Sequence, residues 1–89
     1  MTPEEHQTDM QRVILDLLSE RDAGKTICPS EAARRIAELA GTPDQWRSWL
    51  QKTRATAISM ARHGTIIILQ RGKRLDPTAA RGAIRLRLP

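Results

Sequence analysis

Residues 42–69 read TPDQWRSWLQKTRATAISMARHGTIIIL, and this stretch decides the fold. Thr42-Pro43-Asp44-Gln45 is a helix start: a capping hydroxyl, a proline suited to the first helical position, an acid in the first turn and Gln at the capping-box position. Trp46, Trp49, Leu50, Thr53, Ala57, Met60 and Ala61 follow at i, i+3, i+4, i+7, i+11, i+14 and i+15. At about 100° per residue they all lie within about 60° of Trp46, on one face of an α-helix. Trp46 and Trp49 share that face with Leu50 and Met60, so the expectation for both is core packing. Gly64 stops the helix, and the β-branched run Thr65-Ile66-Ile67-Ile68-Leu69 is a strand.

Toward the N-terminus, Pro29-Ser30-Glu31 opens a second helix, with Ala32, Ala33, Ile36, Ala37 and Leu39 as a small-residue inner face and Gly41 as its stop. Lys25-Thr26-Ile27-Cys28 is a short strand or extended connector. Before it, Met10, Val13, Ile14, Leu17 and Leu18 form a one-sided stripe at i, i+3, i+4, i+7 and i+8. Arg12, Asp16, Glu20 and Arg21 make the solvated side of that first helix, and Asp22-Ala23-Gly24 ends it. Both Thr2-Pro3-Glu4-Glu5 and Thr8-Asp9-Met10-Gln11 can start it, which leaves residues 1–9 as a frayed arm. Toward the C-terminus, residues 70–82 are a polar, basic loop containing Gly and Pro. Residues 83–88 alternate strictly, placing Ile84, Leu86 and Leu88 inward and Arg85 and Arg87 outward.

The order is helix, short strand, helix, helix, strand, basic loop, strand. The last two strands pair as an antiparallel hairpin, and Lys25 to Cys28 can add an edge strand. The fold class is therefore α+β, a winged helix in which a helix-turn-helix is followed by a wing hairpin, one domain over residues 1–89. The run Arg54-Ala55-Thr56-Ala57, Met60-Ala61, Gly64-Thr65-Ile66, Arg71-Gly72-Lys73, Asp76-Pro77 and Arg81-Gly82-Ala83-Ile84-Arg85-Leu86-Arg87-Leu88, with Trp46 and Ser30-Glu31-Ala32-Ala33-Arg34, resembles a small bacterial domain family of unknown function. The resemblance spans about residues 11–89. It implies the same winged-helix fold and brings neither a demonstrated activity nor catalytic residues.

Composition narrows the function. Among 89 residues, 39% are apolar and 28% charged, a globular balance, and the core has no Phe or Tyr to draw on. A single cysteine, Cys28, excludes an internal disulfide, and two histidines make a structural zinc site or other metal cofactor an unfavoured reading. No apolar stretch approaches the length of a membrane span, and the N-terminal residues lack the features of a signal peptide, so the expected setting is cytoplasmic. Cys28 and His63 have no spacing that makes a nucleophile–base pair, and enzyme activity has no residues to carry it.

Charge is divided unevenly. Residues 1–44 hold five Lys or Arg and nine Asp or Glu; residues 45–89 hold ten cations and one acid, Asp76. A cationic half is the footprint of a polyanion binder, although Arg-rich, Ala-rich sequence also arises from GC-rich coding. Opposite the tryptophan stripe the third helix presents Arg47, Ser48, Gln51, Lys52, Ala55, Ser59 and Arg62, with no acid after Asp44. Gln and Arg suit adenine and guanine edges in a major groove, and small residues permit close approach. Arg71, Lys73, Arg74 and Arg81 gather in the basic loop, where a wing would clamp phosphate. The candidate nucleic-acid-binding residues are accordingly Arg47, Ser48, Gln51, Lys52, Arg62, Arg71, Lys73, Arg74 and Arg81, with duplex DNA as partner and a small regulator or accessory factor as role. An acidic protein partner would meet the same surface equally well.

Three further expectations follow. Arg54, about 80° from Trp46, has a structural role, pairing with Asp76 or an acid of the first helix. Ser30 serves either local capping or a phosphate. In Ile66 to Leu69 both faces of the strand are apolar, so either the first helix, the N-terminal arm or a second copy of the chain covers the second face; a homodimer through this strand is one answer.

Overall fold

Two glycines end the helices around which the molecule is built. Gly41 and Gly64 both take positive φ, 77° and 80°. Each sits in a pair of closing hydrogen bonds: Thr42 N to the Ala37 carbonyl with Gly41 N to Glu38, and Thr65 N to Met60 with Gly64 N to Ala61. This is the Schellman arrangement, which satisfies carbonyls that a helix end leaves open. The computed structural model describes residues 3–22 and 24–89. It contains α1 (Pro3–Glu20), α2 (Pro29–Leu39), α3 (Trp46–Arg62), β1 (Ile67–Gln70), β2 (Lys73–Arg74) and β3 (Arg85–Arg87), with 3₁₀ turns at Pro43–Gln45 and Pro77–Ala79. Of the arm expected at residues 1–9, Met1 and Thr2 lie outside the described residues and the remainder is the start of α1.

The strands form one antiparallel sheet in the order β2-β1-β3. Ile68 faces Leu86 across β1 and β3, and Leu69 faces Arg74 across β1 and β2. Lys25 to Cys28 contributes less than a strand: Ile27 alone bridges Leu86, through hydrogen bonds of 2.9 and 2.8 Å. The third strand is instead β2, two exposed residues inside the loop expected at 70–82. This α+β architecture, three helices and a small three-stranded antiparallel sheet, is consistent with a winged-helix arrangement. Among the described residues no helix is long and apolar enough to cross a membrane.

The core lies between the helices and one face of the sheet. Met10, Val13, Ile14 and Leu18 of α1 meet Ala32 and Ile36 of α2, Ala57 and Met60 of α3, and Ile66, Ile68, Ile84 and Leu86. Small residues on α2 let α3 approach closely, so these two helices make the most extensive helix contact. Glu31 accepts from the Cys28 amide at 2.6 Å and pairs with Arg21 at 2.6 Å, tying the end of α1 to the start of α2. Ser30 donates its hydroxyl to the Cys28 sulfur at 3.1 Å, a local contact but not a helix cap, the N-cap position being Cys28.

Several side chains depart from the expected pattern. Leu39 is 69% exposed because it lies at the last turn of α2, about 90° from the centre of the buried arc. Leu88 is 40% exposed, since β3 ends at Arg87 and no element continues beside it. Thr56 is buried on α3, its hydroxyl on the Met10 sulfur at 3.6 Å, while Trp46, Trp49 and Leu50 are only half-buried. The buried arc of α3 is Thr53, Thr56, Ala57 and Met60, rotated about 30° from the tryptophan stripe and confined to the part of the helix that overlies α1 and the sheet. At the start of β1, Ile66 just before it and Ile67 and Ile68 within it are all buried within one chain, and Leu69 is half-buried. Arg87, opposite Ile67, lies on the outer face and is half-buried, so its aliphatic stem is placed to cover that isoleucine.

The segment after β2 is held by polar contacts. Arg54 is structural, but its partner is the Gly82 carbonyl at 2.9 Å rather than Asp76. Asp76 caps the second 3₁₀ turn, accepting from the Thr78 amide at 2.8 Å and the Thr78 hydroxyl at 2.7 Å. These hydrogen bonds, the hydroxyl's first, lower the Asp76 pKa below its ordinary value. A depressed carboxyl pKa contributes stability above the ordinary value and loses it as pH falls through the folded one. Acidification below the ordinary carboxyl range should therefore lower the protection factor of the Thr78 amide and leave that of Leu86 unchanged, and an equal loss at both would refute this cap.

Candidate nucleic-acid interface

The exposed side of α3 is built by default: once Thr53, Thr56, Ala57 and Met60 turn inward, the opposite arc must face solvent. Arg47, Ser48, Gln51, Lys52, Ala55 and Arg62 are exposed, and Ser59 is half-buried. Ser48 spends its hydroxyl at the helix start, donating to the Gln45 carbonyl at 2.7 Å. Lys52 lies over the Trp49 ring, 5.6 Å from its centroid. Gln51 and Arg62 have no partner among the described residues. On one flank the 3₁₀ turn Pro77–Ala79 packs beside α3, and Ile58 is half-buried against the core, so that flank narrows the open face.

The basic loop is more structured than its composition implies. Leu69 pairs with Arg74 and Gln70 with Lys73, leaving Arg71-Gly72 as a two-residue turn. Both turn residues take positive φ, 53° and 78°, the pattern of a type I′ hairpin. Gln70 reaches back, its amide donating to the Arg81 carbonyl at 2.6 Å, and so brings Arg81 to the base of this hairpin. Arg71 thus stands at the tip, Lys73 and Arg74 along β2, and Arg81 at the foot; all four are exposed. Arg85 is separate from this group, its guanidinium bonded to the Thr26 hydroxyl and carbonyl at 2.9 and 3.1 Å.

Arg71 is the one non-glycine residue with positive φ among the described residues. Left-handed backbone costs an ordinary L-residue about 1 kcal/mol, and Asn is better tolerated there. Arg71→Asn should raise unfolding free energy by about 0.5 kcal/mol in urea titration. A loss of stability instead would show that the arginine side chain holds the hairpin.

The expectation of core packing holds for Trp49 and fails for Trp46. Trp46 stands outside the core cluster, with the guanidinium carbons of Arg34 and Arg47 at 4.4 and 4.6 Å from its ring centroid. Trp49 is half-buried against the core edge. Sequence does not single out Arg34: on the α2 wheel it is an ordinary exposed position, and no spacing rule links it to a residue on another helix.

Seven of the candidate residues are cations: Arg47, Lys52 and Arg62 on α3, and Arg71, Lys73, Arg74 and Arg81 in the loop. All are exposed, and the one ion pair among the described residues is Arg21–Glu31, on the other half of the chain. The fold is a small α+β one consistent with a winged-helix arrangement, and its candidate cations on α3 and the loop make no ion pair among the described residues. The chain belongs to the DUF3253 family, a protein family of unknown function, which it matches over residues 7–89. No curated protein matches it.

Proposed function

We propose that this is a cytoplasmic nucleic-acid-binding protein, without catalytic chemistry of its own, that lays α3 in the major groove of duplex DNA and sets the β1–β2 hairpin against the backbone. One observation carries the reading: the seven exposed cations of α3 and the hairpin have no carboxylate partner among the described residues. Residues 45–89 hold one acid, Asp76, which is engaged by Thr78, so these cations keep N–H donors for an external polyanion. Gln51 and Arg62, free and on the exposed arc, are the side chains suited to base edges; Arg71, Lys73, Arg74 and Arg81 suit phosphate. In cells such a protein would serve as a small regulator or accessory factor.

The test is fluorescence anisotropy of labelled duplexes of unrelated sequence, titrated with the protein at several salt concentrations. Binding at micromolar Kd or tighter, with log K falling steeply against log salt, is the expected result. No binding at low salt overturns the reading and leaves the cationic side to an acidic protein partner.

A further inference from the structure

We infer that Arg34, Trp46 and Arg47 form a pre-organised clamp for a backbone phosphate of the bound DNA, at the end of α3 where it meets α2; the inference rests on the DNA reading above. Three residues from two helices converge here. Trp46 is the first residue of α3 and half-buried, Arg47 follows it, and Arg34 comes from α2. The guanidinium carbons lie 4.4 and 4.6 Å from one indole centroid. Both arginines are exposed, and neither has a hydrogen-bond or carboxylate partner among the described residues.

Two like charges drawn to one ring repel each other, and the indole quadrupole offsets only part of that repulsion. No carboxylate among the described residues relieves it. Asp44, two residues before Trp46, and Glu38, four after Arg34, make no ion pair, and Glu31 of α2 is committed to Arg21 and the Cys28 amide. What the arrangement lacks is an anion.

Geometry identifies the anion's class. A guanidinium stacked on an aromatic ring keeps its N–H donors at the rim of its own plane, free for bidentate contact with an oxyanion. Stacking also immobilises two long side chains before any ligand arrives, so less freedom is lost on binding. Because the arginines occupy the ring, Trp46 is not a free platform for an unstacked base, which argues for phosphate over nucleobase. Arg47 already belongs to the acid-free side of α3, and Arg34 adds a second guanidinium beside it from α2. The strand bordering the groove that α3 enters would run past both, so one phosphodiester engaged here sets the helix's register without reading sequence.

The test uses the full chain and the anisotropy titration with unrelated duplexes. Arg34→Ala should weaken binding equally on all of them, by about eightfold near 0.1 M salt, and make the log K–log salt slope shallower by about 0.9. Arg34→Lys should recover only part of this, since an ammonium keeps the charge and loses the planar fork. Trp46→Ala should weaken binding with both arginines present, Trp46→Phe should restore most of it, and Arg34→Ala combined with Trp46→Ala should cost little more than either alone. Arg34 is a surface residue, so its variants report even if Trp46→Ala fails to fold. If the wild-type chain binds and Arg34→Ala matches it in affinity and slope, the clamp is wrong and the DNA reading stands. If Arg34→Ala weakens binding and Trp46→Ala does not, the pre-organised platform is wrong. If the wild-type chain does not bind duplex at all, both fall together.

Discussion

Leu86→Ala should lower the unfolding free energy by about 3 kcal/mol, the largest effect expected of any single substitution in the sheet. Leu86 is fully buried at the centre of β3. It stands opposite Ile68 on one side and exchanges backbone hydrogen bonds with Ile27 on the other, so it joins α2's leading connector to the hairpin. Ile14, Ile66 and Ile84, themselves fully buried or nearly so, belong to the same core cluster and have little freedom to collapse into the space left behind. A domain of this size has a total of about 5–10 kcal/mol to lose, so the variant should be largely destabilised at ambient temperature and unfolded when warmed. Urea titration followed by circular dichroism measures it. Leu88→Ala, two residues on and 40% exposed, is the internal control and should cost under about 1 kcal/mol. Equal losses at both positions would mean that Leu86 is not the buried position of β3 described here.

Changing Lys52, Arg71, Lys73 and Arg74 together to Ala should leave the fold intact and remove most DNA affinity. None of the four is buried and none makes an ion pair among the described residues, so the folded state has little to lose. The variant gives up four cations from a net charge of +5. If each contacts a phosphate, the salt slope becomes shallower by about 3.6 and affinity near 0.1 M salt falls by about 10³- to 10⁴-fold. A wild-type slope in this variant would place the contacts elsewhere, on Arg62, Arg81 or outside the proposed interface. The Arg71→Asn variant completes the contrast, since it should weaken DNA binding while stabilising the hairpin, a trade between local backbone comfort and placement of a cation.

Helices and the inward positions Ile84 and Leu86, though not Leu88, were legible from residue order because each depends on local periodicity. Met10, Val13, Ile14 and Leu18, then Ile36, Ala57 and Met60, recur at helical spacing and all are buried. Gly41 and Gly64 mark helix ends because only a residue free of Cβ strain takes those φ angles easily. The second strand of the hairpin was not legible. Lys73 and Arg74 are two exposed cations with no alternation, and they become a strand only because the Arg71-Gly72 turn lays them against Leu69 and Gln70.

The candidate interface divides in the same way. The absence of acids along α3 and the cationic loop can be read in sequence, since a helical face is a fixed set of spacings and net charge is a count. Which of those cations are free is a pairwise matter. Arg54 is committed to Gly82, Arg85 to Thr26 and Arg21 to Glu31, partners ten to fifty-nine residues away, while Arg62 and Arg71 have none among the described residues. Trp46 makes the point most clearly. Its angle on the helix wheel places it beside the core stripe, but an angle cannot say where the neighbouring layer ends. At the first turn of α3 the packing against α1 and the sheet has not begun, and Arg34 of α2 stands where a core residue would. Local spacing sets the side of an element on which a residue lies; what meets it there depends on contacts between residues far apart in the chain, and those arise only when the helices and strands pack together.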